Sequence, residues 1–390
     1  MWLYVLKRFI WFLPTLFAVT LIGFVLLANA PGDAVDSLVL SSNSGGSIKT
    51  TQDLKQQKIY WRKQLGLNLP SFYFSISTLA EPDTLYKVYD ETLLRKIKQD
   101  IKNKSGYKNY LPKIIWHGYH NQYHRWLFGG YNSKGIIRGD FGLSISKKEP
   151  VVAIIKDKLI WSLFFSIFSI ILAYAISIPI GVKMAQNPES KFSKTSQLIL
   201  FLMYSMPSFF VGVLLLMLFA NPDLLSIFPP SGIKPIGGYD DNASLIEKIT
   251  ASFPYMILPL ICYTYSSLAF ISKLTATSIQ EQLQLDYIKT ARAKGLNEKT
   301  IIWKHALKNS ALPLITVFSS IFPSIVGGSV IIESIFTIPG MGLETVRAII
   351  SQDYPIVIAI ITLSSIVTIF SYLLADILYA WVDPRIRITT

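Results

Sequence analysis

The chain has 390 residues, 51% hydrophobic and only 16% charged, against about a quarter charged in an ordinary soluble domain. Its charged residues are bunched, and the long uncharged gaps between the bunches exclude a soluble fold. The single cysteine, Cys262, excludes an internal disulfide and any cysteine-based metal site.

Six stretches lack Asp, Glu, Lys and Arg: 9–32, 159–182, 195–222, 249–272, 309–332 and 354–375. A helix of 22 residues, the shortest of them, spans about 33 Å, enough for a hydrocarbon core of roughly 30 Å. Each stretch predicts a membrane span, so the fold class is an all-α polytopic membrane protein with six transmembrane helices. The first stretch is preceded by Lys7 and Arg8, as the apolar run of a signal peptide is. Its apolar run is longer than such a leader needs and no clean small-x-small site follows, so it is expected to remain as a span.

Orientation follows from Lys and Arg in the short loops. With the N-terminus inside, the inner segments hold fourteen and the short outer loops three. The positive-inside rule then places both termini in the cytoplasm. The net charge of +13 is thereby explained by topology and by the long loop 33–157, which crosses largely regardless of charge, and no nucleic acid is implied. The organisation reads as an N-terminal transmembrane helix at 1–32, an extracytoplasmic segment with an insertion at 33–157, and a five-helix core at 158–390 that includes the cytoplasmic segment 273–308.

Within the outer segment, 83–104 predicts an amphipathic helix, with Leu85, Val88, Tyr89, Leu93, Leu94, Ile97 and Ile101 recurring near a period of 3.6. It reads as a packed cap, or as a contact for a soluble partner. His117, His120 and His124 are spaced i, i+3 and i+7, so one helical face could present three imidazoles to zinc or nickel. No carboxylate joins them at ligand spacing, and Trp116, Tyr119, Tyr123 and Trp126 are interleaved, which favours an aromatic-rich interfacial segment over a metal site. The spans carry Pro14, Pro179, Pro207, Pro259, Pro313 and Pro323, each a candidate kink.

The segment 273–308 is the most informative. Residues 279–294 predict a helix with Leu283, Tyr287 and Ala291 on one face, and Gly295 ends it. Asn297 is placed to cap a second helix, with Glu298 in its first turn, running through Ile301, Ile302, His305 and Leu307. A short helix, glycine and helix facing the cytoplasm can be a solvated connection or a knob that docks in a groove of another protein. Between the fifth and sixth stretches, Pro339 to Gly342 predict a tight turn beside Glu333, an acidic residue at the membrane edge. No nucleophile, base or metal-ligand set converges, and no G-x-x-x-x-G-K-[ST] phosphate loop is present, so no catalytic role and no bound ATP are expected.

The run DYIKTARAKGLNEKTIIWKHALKNSALPLIT at 286–316 resembles the coupling segment of permeases in binding-protein-dependent ABC importers of the dipeptide and oligopeptide class. It has company in the same order: Pro31, Gly32 and Asp33; LGL at 65–67; GDFGLS at 139–144; YSMPSFF at 204–210; ESIF at 333–336 and PGMG at 339–342; Asp353, Tyr354 and Pro355; and DPRIR at 383–387. The resemblance is to the first permease of such systems, the oligopeptide permease B type, and covers nearly everything outside 71–122. Lys289, Thr290 and Ala291 stand where the broader family has an acidic residue and two alanines, a departure usual for the peptide class.

The resemblance implies the type I ABC importer, or MetI-like, permease fold with an enlarged outer loop. It implies a heterodimer with a second related permease, two ABC ATPase subunits that hydrolyse ATP, and an extracytoplasmic peptide-binding protein. This chain would bind no cofactor itself and would lie as a multi-pass protein in a bacterial inner or plasma membrane, in contact with the lipid bilayer. Asp286, Tyr287, Thr290, Ala291, Arg292, Ala293, Gly295 and Leu296 are the implied ATPase-coupling residues, Ala291 and Gly295 being small for close approach of the partner. Glu333, Pro339, Gly340 and Gly342 are candidates for the pathway or outer gate. Nickel or a peptide-like compound is the alternative cargo. A secondary transporter would need mid-membrane ionisable groups and repeated halves, and neither is visible.

Overall fold

The computed structural model describes residues 2–28, 35, 39, 51–78, 81–82, 84–88, 91–104, 106, 111–130, 134–240 and 243–382. The motifs at 31–33 and 383–387 lie outside these, as do the side chains of Lys7, Arg8 and Pro323. The chain divides into two compact units. The larger comprises Met1–Phe17, Ile155–Arg347 and Thr362–Thr390, and the smaller comprises Ala18–Ile154 and Ala348–Ile361.

Each uncharged stretch is helical over most of its described residues. The first is α1 (Trp2–Ala28). The smaller unit then carries α2 (Thr51–Leu65), β1 (Phe74–Thr78), α3 (Glu91–Lys104), β2 (Pro112–Trp116) and α4 (Gln122–Phe128). The later helices are α5 (Val151–Gln186), α6 (Lys191–Ser205), α7 (Ser208–Phe219), α8 (Leu245–Leu283), α9 (Asp286–Ala293), α10 (Ala311–Gly327), α11 (Val330–Ile335), α12 (Met341–Ile350) and α13 (Tyr354–Val382). Among the described residues, three helices are long and apolar enough to cross a membrane. The pair α6 and α7 makes a fourth span if taken together. Ile10–Val25 and Ala311–Ile321 are shorter apolar helices on the first and fifth stretches, so the count of six is consistent with the structure.

The third stretch is not one straight helix. Its two halves meet at 99° across Met206 and Pro207. Proline removes a helix donor and pushes the residue before it out of the α region, and Met206 is indeed extended. Leu198, Phe201, Leu202, Phe209, Phe210 and Met217 are exposed along this pair, an apolar surface that water does not tolerate but a bilayer does.

In the larger unit α5 and α8 pack at close range. A Cβ on Gly181 would come within 2.7 Å of the Ser272 carbonyl oxygen, the contact that small residues allow between membrane helices. Ser177 Oγ donates to the Leu268 carbonyl at 3.1 Å, and Tyr174 Oη donates to the Leu314 carbonyl at 2.8 Å.

The smaller unit adds a feature that the all-α expectation lacked. β1 and β2 pair antiparallel, with Phe74 opposite Trp116 and Thr78 opposite Pro112. The expected helix 83–104 begins only at Glu91, after a 3₁₀ turn, Leu85–Lys87. The histidines do not share a helical face. His117 follows β2, His120 lies before α4, and only His124 is helical. His117 Nε2 lies 2.8 Å from Ser75 Oγ and His124 Nδ1 lies 2.9 Å from Tyr73 Oη, so the two rings point to separate partners. The expected aromatic belt is in part a core. Tyr123 is fully buried with Phe24 and Ile358, packed by Phe72, Tyr73 and Trp126.

Candidate functional site

The segment 273–308 is built in short pieces. α8 runs on past the span to Leu283, the chain breaks at Gln284 and Leu285, and α9 follows. The single helix expected over 279–294 is therefore two. The break is extended at Leu285, after Gln284 closes α8 with a tightened turn. At the other end Gly295 takes φ +78°, where glycine carries no Cβ penalty. Its amide donates to the Arg292 carbonyl at 2.9 Å and that of Leu296 to the Ala291 carbonyl at 3.3 Å, closing α9. Asn297 caps the next turn as expected, its side chain accepting from the Thr300 amide at 2.8 Å. The second helix is then interrupted. Glu298–Thr300 passes into a π-helical turn, Ile301–Ala306, before Leu307–Asn309.

These pieces hold together through one buried cluster. Ile288 and Ala291 of α9 pack with Ile301, Ile302 and Ala306 from the π turn, Val182 and Ala185 of α5, and Ile279 of α8. Tyr287 flanks it and donates from its hydroxyl to Gln282 Oε1 at 2.8 Å. Ala291 is only 7% exposed. Its small size is thus set by packing inside this chain, which corrects the expectation that it is small for a partner's approach. The other implied coupling residues lie outward. Asp286, Thr290, Arg292, Ala293 and Gly295 are exposed, and Leu285 and Leu296 expose 46% and 40% of their surface at the two ends of α9. Arg292 Nε donates to Glu298 Oε1 at 2.6 Å across the turn. The bond holds the Glu298 carboxyl below the ordinary glutamate range and raises the Arg292 guanidinium, although both stand largely in solvent. Lys289 pairs with Asp286 at 2.8 Å.

Glu333, Pro339, Gly340 and Gly342 also come together, in an arrangement richer than a simple turn. Glu333 is fully buried. Its Oε1 accepts from Ser162 Oγ of α5 at 3.0 Å, and from Tyr263 Oη of α8 and the Ser329 amide, both at 3.3 Å. Its Oε2 accepts from the Leu343 amide at 2.8 Å. Ser162 Oγ in turn accepts from the Met341 amide at 2.8 Å. One carboxylate thus ties α5, α8, α11 and the start of α12. A Cβ on Gly340 or Gly328 would overlap the carboxylate, and one on Gly342 would sit 2.7 Å from the Val330 amide nitrogen. The glycines are there so that backbone can close over the charge. Burying a carboxylate is costly unless its lone pairs are filled, and here four donors fill them. Ser162 and Tyr263 were not singled out in sequence, although each is a polar residue within an uncharged apolar stretch.

The smaller unit holds a second buried carboxylate that sequence reasoning left without a role. Asp353 Oδ2 accepts from Ser144 Oγ at 2.5 Å, the Ser146 amide at 2.9 Å and Ser146 Oγ at 2.7 Å, while Oδ1 accepts from the Ile145 amide at 3.1 Å. It clamps the end of the GDFGLS motif to the start of α13, beside Trp61, Leu65 and Tyr354 packed on Ile145. Both motifs had been read, but nothing in their spacing showed that they meet.

The family model described as "Binding-protein-dependent transport system inner membrane component" matches residues 177–388. The oligopeptide transport system permease protein AppB of Bacillus subtilis is 33% identical over 324 residues, covering 83% of this chain and 95% of that protein. The peptidoglycan transport system permease protein YejB of Agrobacterium fabrum is 30% identical over 384 residues, covering 98% and 97% respectively. Among solved structures, inward-facing MetNI methionine ABC transporter matches with a TM-score of 0.44 at 15% identity, over 60% of this chain and 97% of that one.

Proposed function

Since this chain belongs to the binding-protein-dependent transport system inner membrane component family, the membrane permeases of ABC importers, we propose that it forms half of the translocation path of an importer for di- and oligopeptides. The other half is a second, related permease. Membership of the family implies ATPase and binding-protein partners, and the chain is a multi-pass membrane protein. In this reading both termini are cytoplasmic, two ATPase subunits grip α9, and a binding protein delivers cargo on the opposite side. ATP is bound and hydrolysed by the partners alone, and this chain catalyses nothing. Glu333, Pro339, Gly340 and Gly342 form the outer gate.

The observation that carries the reading is the α9 knob. It exposes Thr290, Arg292, Ala293 and two leucines, and it is braced by a cluster whose isoleucines 279, 288 and 301 are fully buried. A rigid, partly apolar protrusion fits a groove on another protein, and the buried brace passes motion of the knob to α5 and α8.

Cysteines at Thr290 and Ala293, in the complete importer, should cross-link to the ATPase and to no other subunit. An Ala293→Arg change should uncouple ATP hydrolysis from uptake with the chain still in the membrane. Normal uptake by that variant, or cross-links that never reach the ATPase, would overturn the proposal. A second cargo, a peptide-bearing cell-wall fragment, is favoured by one observation. The match to the Agrobacterium protein runs through the segment 33–157, whereas AppB matches less of this chain. Competition between labelled oligopeptide and such fragments for uptake separates the two.

A further inference from the structure

The smaller unit holds an open-sided pocket of about 570 Å³, within the range of small-ligand sites, roughly 300–1,000 Å³. Lys63, Asn68, Tyr119, His120, His124 and Arg125 contribute to its wall, and no Asp or Glu lines it among the described residues. Lysine and arginine only donate, and two imidazoles, an amide and a phenol can donate as well, so the wall is complementary to an acceptor-rich anion. Two stretches of the outer segment, 63–69 and 119–130, meet here with two of the three histidines, which the transport reading does not use.

The floor of this pocket is constructed. Arg125 lies between two glycines. A Cβ on Gly66, itself at φ +75°, would overlap the guanidinium, and one on Gly130 would sit 3.0 Å from Arg125 Cγ. Arg125 Nη2 donates to the Gln64 carbonyl at 3.3 Å, which sets the plane of the fork. Burial pulls its pKa below the ordinary value, yet a guanidinium remains charged at any physiological pH. His124 is fixed by Tyr73 through Nδ1, by the ring of Phe128 at 4.8 Å, and by Asn121, which caps its amide at 2.7 Å and is itself fully buried. Lys63 and His120 stand exposed at the rim. An oriented guanidinium and a flexible ammonium in one wall, with imidazoles beside them, match a carboxylate, an acceptor that charged donors hold well.

We propose that this pocket binds the free carboxylate end of a peptide or peptide-bearing fragment, a binding site on the outer segment distinct from the translocation path. The identity of the carboxylate's owner rests on the import reading above, whereas the site rests on the pocket. Its concave, small-ligand size favours a peptide terminus over an acidic side chain on a docking protein.

The test uses the purified full chain in lipid nanodiscs and an N-acetylated tripeptide, as the free acid and as the C-terminal amide, with binding followed by calorimetry. The acid should bind saturably and the amide about tenfold more weakly or worse, because a charge-assisted hydrogen bond is lost. Lys63→Ala and His120→Ala change exposed side chains that the fold does not need, and together they should weaken acid binding by about tenfold. Equal binding of acid and amide, or a double variant that binds like the parent, overturns the proposal. So does a failure of the acid to bind while a carbodiimide links Lys63 to a carboxylate of the binding protein. Uptake of labelled peptide by vesicles holding the complete importer is measured in parallel. Binding without uptake upholds the pocket and overturns the transport reading; uptake without binding does the reverse.

Discussion

Replacing Asp353 by alanine removes the acceptor for four donors at once, and the structure says which of them suffer. Ser146 is exposed, so its amide and hydroxyl turn to water. Ile145 and Ser144 are only 5% and 3% exposed, so the Ile145 amide loses its partner without replacement. A buried donor left unmet costs about 1–3 kcal/mol, and the lost bond from Ser144 to a charged acceptor about 1.5–3 kcal/mol. Ser144 Oγ keeps its bond from the Lys147 amide at 2.9 Å and lies 3.4 Å from Ser146 Oγ, which offsets part of the second loss. The net is about 4 kcal/mol of local stability, or roughly a thousandfold in the opening equilibrium. Hydrogen exchange of the chain in nanodiscs reads this directly. The amides near 145 should exchange faster in Asp353→Ala by about that factor, and by less in Asp353→Asn, which keeps one oxygen. Unchanged exchange at Ile145, with helical content preserved, would refute the view that this carboxylate holds the loop.

Two further outcomes follow from the larger unit. Gly340→Ala forces a methyl onto the Glu333 carboxylate, which four donors hold in place, and should cost about 1–3 kcal/mol in an unfolding measurement. In a Glu333→Ala background the same change should cost little, and additive effects would show that the two do not touch. Glu298 titrates low because Arg292 donates to it, so the cross-turn pairing is complete at neutral pH and is lost as pH falls through the depressed pKa of the carboxyl. Arg292→Ala should return the Glu298 pKa, followed by carbon NMR of labelled glutamate, to the ordinary range; no movement would refute the assignment.

The apolar plan of this molecule was open to reading because a bilayer demands long uncharged runs. All six are mostly helical over their described residues, and the Asn297 cap and the Gly295 stop were found from local chemistry alone. The departures have physical reasons of other kinds. The 99° bend at Pro207 depends on what surrounds a proline, since Pro14, Pro179 and Pro259 stay inside continuous helices. The histidines were misplaced because i, i+3, i+7 spacing means a shared face only if the chain is helical throughout, and β2 ends at Trp116, just before His117. Ala291 was misread because a small residue on a protruding helix can serve a partner or its own core, and only packing tells them apart. Glu333 and Asp353 stood out as acids, but donors that fix them come from as far as 171 and about 208 positions away.

The two sites of the larger unit share their supports. α5 contributes Val182 and Ala185 to the brace beneath α9 and Ser162 to the Glu333 cluster. α8 contributes Ile279 to the first and Tyr263 to the second. Along α8 the two contacts are about 24 Å apart at 1.5 Å per residue. Its prolines, 254 and 259, lie beyond Tyr263, so the intervening helix keeps an unbroken ladder. α5 instead carries Pro179 between Ser162 and Val182, which makes it the more compliant of the pair. A displacement at the knob is therefore carried along α8 as along a rod, while α5 can bend. The Glu333 carboxylate, bonded to both, is where a difference between the two helices would be felt, because its bonds to Ser162 and Tyr263 cannot both keep their length if one helix moves and the other yields.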